Sequence, residues 1–271
     1  MVGHVEWIDF ARVEHVPAPG EIVHATERWE SPGGAGAVAA VQLAKLAGEA
    51  TFFTALGDDE LGHRSHRKLG GLGVRVEAVY RDTAQRRGFT HIDRNGERTI
   101  TVFGERVGPH GDDPLPWEEL AAADTVYFTA GDQAALRLAR QARVLVATSR
   151  VLPQLKRAGV HLDAVVGSGR DEAERYRPGD LDPSPGLAVW TLGKEGGKFR
   201  TAAGLFGTYV AATIPGQVVD AYGCGDSFAA GLTFALGTGL PTQEALEFAA
   251  RCGAACLTGR GPFEGQLTLS R

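Results

Sequence analysis

The chain has 271 residues, 43% of them apolar, and a formal net charge of −5. That acidic balance excludes a broad basic surface for nucleic acid or an anionic membrane, and there is no run of about 18 apolar residues to span a bilayer. Met1 to Glu6 is too short and polar for a signal peptide, so the expectation is a cytoplasmic protein.

The length suits one large domain, or a domain with a small appendage. Val2 to Ile8 reads as a first strand ending at Asp9. Pro17 to Gly20 reads as a turn, and Glu21 to Ala25 alternates as a half-exposed strand does. Ser31-Pro32-Gly33-Gly34 then breaks the chain and opens a helix through Leu46, stopped by Gly48. Thr51 to Leu56 follows as a strand and Asp59 to Leu69 as a helix. Asn95-Gly96 between Phe89–Asp93 and Arg98–Val102 is a hairpin signal.

Beyond Pro116, strands at 125–129, 144–147, 164–166 and 187–192 alternate with helices at 132–142, 150–158 and 171–177. Such alternation predicts a parallel sheet covered by helices on both faces. Lys198 to Thr213 reads as one or two further strands, and Thr242 to Leu257 as the last helix. The segments at roughly 10–30 and 85–105 fall outside this scheme and predict a small separate β-sheet over the mouth of the main one.

Chemistry concentrates in Val219-Asp220-Ala221-Tyr222-Gly223-Cys224-Gly225-Asp226-Ser227-Phe228, a glycine loop running into an apolar helix. A helix start carries free N–H groups and a positive dipole end, and so attracts an anion. A carboxylate beside it, Asp226, is useful there as a base that takes a proton from an attacking hydroxyl. The amides of Gly223, Cys224 and Gly225 would stabilise the moving charge. The same pattern also reads as ordinary helix-start chemistry with Asp226 in the first turn. The helix start could also make the Cys224 thiol reactive. Cys252 and Cys256 read as small buried apolar residues, and the odd cysteine count argues against a disulfide framework.

Gly34-x-Gly36-x-x-Ala39 matches the loose dinucleotide fingerprint, with Asp58 or Asp59 at the ribose spacing. That reading requires a buried strand running into the first glycine, whereas Glu27 to Pro32 is polar and ends in proline. Asp9 is either a solvated acid or an acceptor for two sugar hydroxyls. Arg86 and Arg87 are either a solvated pair or guanidinium groups for an anionic substrate.

The segment from Asp220 to Phe228 resembles the second signature of the PfkB/ribokinase family of carbohydrate kinases, with Ala221 and Cys224 as departures. Gly33, Gly34 and Ala40 resemble the first signature, with Val38 where the family has Asn, and Gly57-Asp58-Asp59 and Gly62 follow it. The resemblance implies a three-layer α/β/α sandwich with a mostly parallel sheet and a β-sheet lid, all in one domain of residues 1–271. It implies an ATP-dependent kinase acting on a small sugar or polyol, with Asp226 as base and Gly223 to Gly225 as anion hole. Asp9, Gly33, Gly34 and Arg87 become substrate-binding candidates.

Gly169 to Glu174 resembles the family's N-x-x-E motif, so Glu172 becomes a Mg²⁺ candidate acting through water, with Gly169 in place of Asn. Thr191, Gly193, Gly196 and Gly261 become nucleotide contacts, and Asp220 a candidate for a monovalent cation such as K⁺. A homodimer joined through the lid is a further implication. The departures at Val38, Gly169 and Ala221 leave open a degenerate, sugar-binding relative without turnover.

Overall fold

A computed structural model describes residues 1–269. In chain order its strands and helices are β1 (Glu6–Arg12), β2 (Glu27–Gly33), α1 (Gly34–Ala47), β3 (Ala50–Gly57), α2 (Glu60–Gly71), β4 (Val74–Arg81), β5 (Arg87–Ile92), β6 (Arg98–Phe103), β7 (Thr125–Phe128), α3 (Gln133–Ala139), β8 (Val144–Thr148), α4 (Leu152–Ala158), β9 (Ala164–Ser168), β10 (Leu187–Thr191), β11 (Gly197–Thr201), β12 (Phe206–Tyr209), α5 (Cys224–Gly237) and α6 (Thr242–Cys256).

The larger sheet has the order β12-β11-β10-β9-β8-β7, parallel from β10 to β7 and antiparallel through β11 and β12. The parallel pair β3-β4 joins it through one residue, Val2, which bridges Phe53 and Phe128. Period-2 alternation then sorts the core. Val144 and Val146 face the apolar cluster that includes residues of α1, α5 and α6, while Leu145 and Ala147 face the cluster containing α3 residues. The result is three layers, helix on sheet on helix, with each fully buried large side chain such as Phe52 or Phe128 contributing about 1.5–3 kcal/mol. α1 is almost wholly small and apolar and is buried nearly all round, as such a helix must be.

The chain leaves the larger sheet at Gly3. The expected first strand is therefore split: Val2 alone serves the main sheet, and Glu6 to Arg12 belongs to a second, four-stranded sheet of order β2-β1-β5-β6. Asp9 lies in the middle of a strand rather than at its end, paired with Glu30 on one side and Phe89 on the other. One face of this sheet carries Ile8 and Phe10, and Phe10 packs edge-on against Tyr222 with centroids 5.0 Å apart. On the other face Trp7 lies under Arg64 and Lys68 of α2.

Other expectations need correction. Residues 21–25 form no strand, and Ile22 is 86% exposed. The partner of β1 is instead β2, an edge strand, where Pro32 needs no N–H for the ladder. Because β2 pairs antiparallel with β1 in the smaller sheet, no buried parallel strand feeds Gly34, and the dinucleotide fingerprint lacks its required context. The helix expected at 171–177 is only a 3₁₀ turn at Glu172–Glu174. The strand β4, Val74–Arg81, is additional to the elements expected from the sequence.

Candidate active site

α5 starts at Cys224 with Gly223 as its N-cap, and no side chain caps its first turn. Gly223 has φ +81°, which disfavours a side chain, and a Cβ there would stand 2.9 Å from Val38 Cγ1. Val38, in place of the family's Asn, is fully buried and forms the packing under the loop. A Cβ at Gly225 would meet no atom within 4 Å, so the helix start opens onto free space. Asp226 lies in this first turn, partly open to the cleft. Burial by the surrounding protein, with the charge of Glu174, pushes its carboxyl up to about 7 against the pull of Arg98 and Arg150. A carboxylate poised there exchanges a proton near neutrality.

The loop ahead of α5 is tied on three sides. Asp220 is fully buried, and its two oxygens accept from Tyr222 N at 2.8 Å and Gly261 N at 2.8 Å. Burial raises its pKa, partly offset by these two bonds. Tyr222 Oη accepts from Gly34 N at 3.0 Å. Ala221 N donates to Gly96 O at 2.9 Å, so the β5–β6 hairpin tip rests on the loop. Cys224 is not activated by the helix start: a bond with Cys256, then burial, raises its pKa.

Gly33 and Gly34 border the cleft. A Cβ on Gly33 would lie 2.6 Å from Tyr222 Oη, and one on Gly34 would lie 3.1 Å from Glu6 Cγ. Glu6, not Asp9, is therefore the acid beside these glycines. It is buried, its pKa is raised mainly by that burial, and Arg86 Nε stands 2.8 Å from Oε1. Asp9 and Arg87 meet each other at 2.9 Å, with Arg28 on the other carboxylate oxygen at 3.0 Å. Register puts this trio on the face away from Tyr222. Burial pushes the Asp9 carboxyl up, but the two guanidinium groups outweigh it and hold it low. Of the two adjacent arginines, Arg86 faces the cleft and Arg87 the outside.

The acids after β9 are also redistributed. The Glu172 side chain is 76% exposed and paired to Arg175. Glu174, 18% exposed, accepts from Ser168 N at 2.6 Å, pairs with Arg150 and influences Asp226. Asp171 pairs with the same Arg150 at 2.6 Å. Asp171-x-x-Glu174 has the spacing read earlier as Gly169-x-x-Glu172, displaced by two residues.

Gly169 N donates to Thr191 O at 2.8 Å, and Arg170 bridges to Glu195 at 2.7 Å, so Thr191, Gly193 and Gly196 gather beside this acidic turn. Gly261 lies elsewhere, with Asp220 and Trp29. A cavity of about 480 Å³ between Trp29, Lys68 and Arg260 does not include Asp226, which is partly exposed.

The chain thus combines a helix start with no side-chain cap, a carboxylate in its first turn, and a second, smaller sheet whose hairpin tip is tied to the loop ahead of that helix. A profile described as pfkB family carbohydrate kinase matches residues 1–168 and 182–268. The chain belongs to this family and is an ATP-dependent carbohydrate kinase. It is 28% identical over 270 residues to the ATP-dependent ribose-1-phosphate kinase of Halopiger xanaduensis, covering 93% of this chain and 89% of that one. It is 27% identical over 272 residues to the ribokinase of Bacillus subtilis, covering 93% and 90%.

Among solved structures, the ribokinase of Giardia lamblia superposes with a TM-score of 0.78 at 18% identity, covering 98% of this chain and 94% of that one. The ribokinase of Cryptococcus neoformans in complex with ADP gives 0.76 at 21%, covering 98% and 95%. The family profile skips residues 169–181, the segment where the acids are displaced.

Proposed function

We propose that this kinase transfers the γ-phosphoryl group of ATP to a hydroxyl of a small sugar, with Asp226 as general base. The observation that carries this reading is the Asp226 carboxyl, poised at about 7 in the first turn of an uncapped helix. The acceptor hydroxyl gives its proton to Asp226 and its oxygen forms the new bond to phosphorus. The bond to the β–γ bridging oxygen breaks and ADP leaves. Amides of Gly223, Cys224 and Gly225 face the charge in flight. Positioning supplies most of the remaining rate.

Glu6 and the Gly33-Gly34 edge hold the sugar in this reading, taking the place expected for Asp9. Thr191, Gly193 and Gly196 border the nucleotide. The donor set suits Mg²⁺ held through water: the oxygens of Asp171 and Glu174 already accept from Ala173 N, Ser168 N and Arg150, and such an ion keeps several of its waters. The ion, when bound, offsets phosphate charge. The fit for potassium is poor: each Asp220 oxygen already accepts an amide, and no step is assigned to that ion. The smaller sheet acts as a lid that excludes water. Ile100, Val102 and Phe103 on its exposed strand β6 support pairing of two copies through their lids.

The names of the relatives divide between a sugar phosphate and free sugars, so likeness alone does not choose the acceptor. Phosphorus NMR of the reaction mixture tests the chemistry. One new phosphate monoester per ADP supports it, whereas ADP with inorganic phosphate and no ester sinks it.

A further inference from the structure

The chain has three cysteines, and two of them meet at the start of α5. Cys224 is the first residue of α5 and Cys256 the last of α6. Contacts between the helices fix their register. A Cβ on Gly253 would stand 3.2 Å from Cys224 O and 3.4 Å from Phe228 Cβ, and one on Gly231 would stand 2.7 Å from Cys252 Sγ. Early residues of α5 thus meet late residues of α6. Glycine at both contacts lets the backbones come close, as a disulfide between these ends requires.

The sulfur of Cys256 is placed directly behind the glycine loop. The residue is fully buried, and its Sγ donates to Tyr222 O at 3.5 Å and lies 3.9 Å from Pro262 O. A Cβ on Gly223 would stand 3.3 Å from Pro262 Cβ, so the same proline touches the loop and this thiol. The Cys224 thiol donates to the Cys256 sulfur and completes a short chain that ends on the Tyr222 carbonyl. Cys224 is half-buried and its neighbour Gly225 is exposed, so solvent reaches this turn. Cys252 is fully buried against Gly231, a turn further from the loop.

Phosphoryl transfer as read above uses the amide of Cys224 and leaves its sulfur without a role. The helix start does not activate this thiol. What sets it apart is a second thiol in contact with it.

We propose that Cys224 and Cys256 form a redox modification site, which a peroxide converts to a disulfide that switches the kinase off and a dithiol restores. The bond itself does not depend on the kinase reading; its effect on turnover rests on that reading. Cys224, the sulfur open to solvent, reacts as thiolate and takes one oxygen from the peroxide, giving a sulfenic acid. Cys256 then attacks that sulfur as thiolate; the S–S bond forms and the S–O bond breaks. The thiol protons neutralise the two hydroxides released. Two thiols and one hydrogen peroxide give one disulfide and two waters.

The linked form differs where catalysis is sensitive. An S–S bond is about 2.05 Å long and holds its Cβ atoms about 3.5–4.5 Å apart, much tighter than a contact between two thiols. Cys256 is packed in the core, so the first turn of α5 is the part that gives way. The Cys224 amide is drawn out of the anion hole, with Asp226 two residues on. The thiol bond to Tyr222 O is lost as well.

The test treats the reduced enzyme with hydrogen peroxide and follows intact mass, the non-reduced peptide map and ADP release together. The expected result is a loss of about 2 Da, a linked peptide pair holding Cys224 and Cys256, and a fall in kcat of about 10-fold or more, all reversed by dithiothreitol. Cys256→Ala should abolish the link, whereas Cys252→Ala should keep all three responses. If Cys256→Ala does not fold, the peptide map of the natural enzyme decides alone. An unchanged mass, a gain of about 16 or 32 Da without a linked pair, a link through Cys252, or a Cys224–Cys256 link that leaves kcat unchanged would overturn the proposal. If the reduced enzyme turns over no acceptor, the kinase reading fails separately, and calorimetry with ATP then decides the switch. ATP binding that weakens in the linked form and returns with dithiothreitol upholds it; equal binding in both forms overturns it.

Discussion

The hydroxyl of Tyr222 accepts a hydrogen bond from the Gly34 N–H at 3.0 Å, and so joins the loop ahead of α5 to the first turn of α1. The first N–H groups of a helix have no partner within it, and this one is buried. Tyr222→Phe removes the acceptor and keeps the ring. The expected cost is about 1–3 kcal/mol in chemical denaturation, with a fall in kcat as the two glycine edges lose their shared anchor. Unchanged stability and unchanged kcat would show that the bond positions nothing.

The raised carboxyl of Asp226 has two consequences with opposite signs. The base must be ionised to act, so kcat/KM should climb about tenfold per pH unit below about 7 and level off above it. For stability, a folded pKa above the ordinary 3.8 means that folding favours the protonated form. The contribution is full below 3.8 and is lost as pH rises through about 7. Asp226→Asn should therefore be more stable than the natural enzyme at pH 8, by about 1–3 kcal/mol, and lose that advantage in acid. Thermal melts across pH read it; a variant less stable at pH 8 contradicts the assigned environment.

Glu174 and Glu172 should separate cleanly. Glu174→Gln weakens the pairing with Arg150 and removes charge near Asp226, and kcat should fall by about 10–100-fold with a higher Mg²⁺ requirement. Glu172→Gln, at an exposed surface pair, should change neither. A reversed result would return the motif to the position expected from its sequence resemblance.

Restoring the family's Asn at position 38 should not help. Val38 is fully buried against the Gly223 loop, so Val38→Asn puts an amide where an apolar side chain packs, at about 2–4 kcal/mol in stability. Gain of activity without loss of stability would mean that the pocket has room for the amide.

The glycine loop and Asp226 were legible in the sequence because backbone geometry and chemistry coincide there: a positive φ at Gly223, an open edge at Gly225 and an acid in the next position. The layered fold was legible through alternation of apolar strands. Less visible was the point at which β1 changes sheets. Val2 and Glu6–Arg12 look like one apolar strand, yet they serve different sheets, and that shift made Asp9 look like the cleft acid when Glu6 borders it. Arg86 and Arg87 look equivalent in the sequence, but period-2 alternation sends neighbours to opposite faces, and the sequence does not say which faces in. The signal for Glu174 in the sequence is the acid three residues before it, and Arg150 holds both.

The central claim is that Asp226 is the base of a phosphoryl transfer, and ADP release from Mg-ATP tests it most directly. Natural enzyme and Asp226→Asn would be compared across sugars, polyols, nucleosides and sugar phosphates. The expected result is turnover with a sugar-type acceptor that falls by about 100-fold or more in the variant. Turnover that survives in Asp226→Asn, or silence across the panel while a sugar still binds, would contradict it.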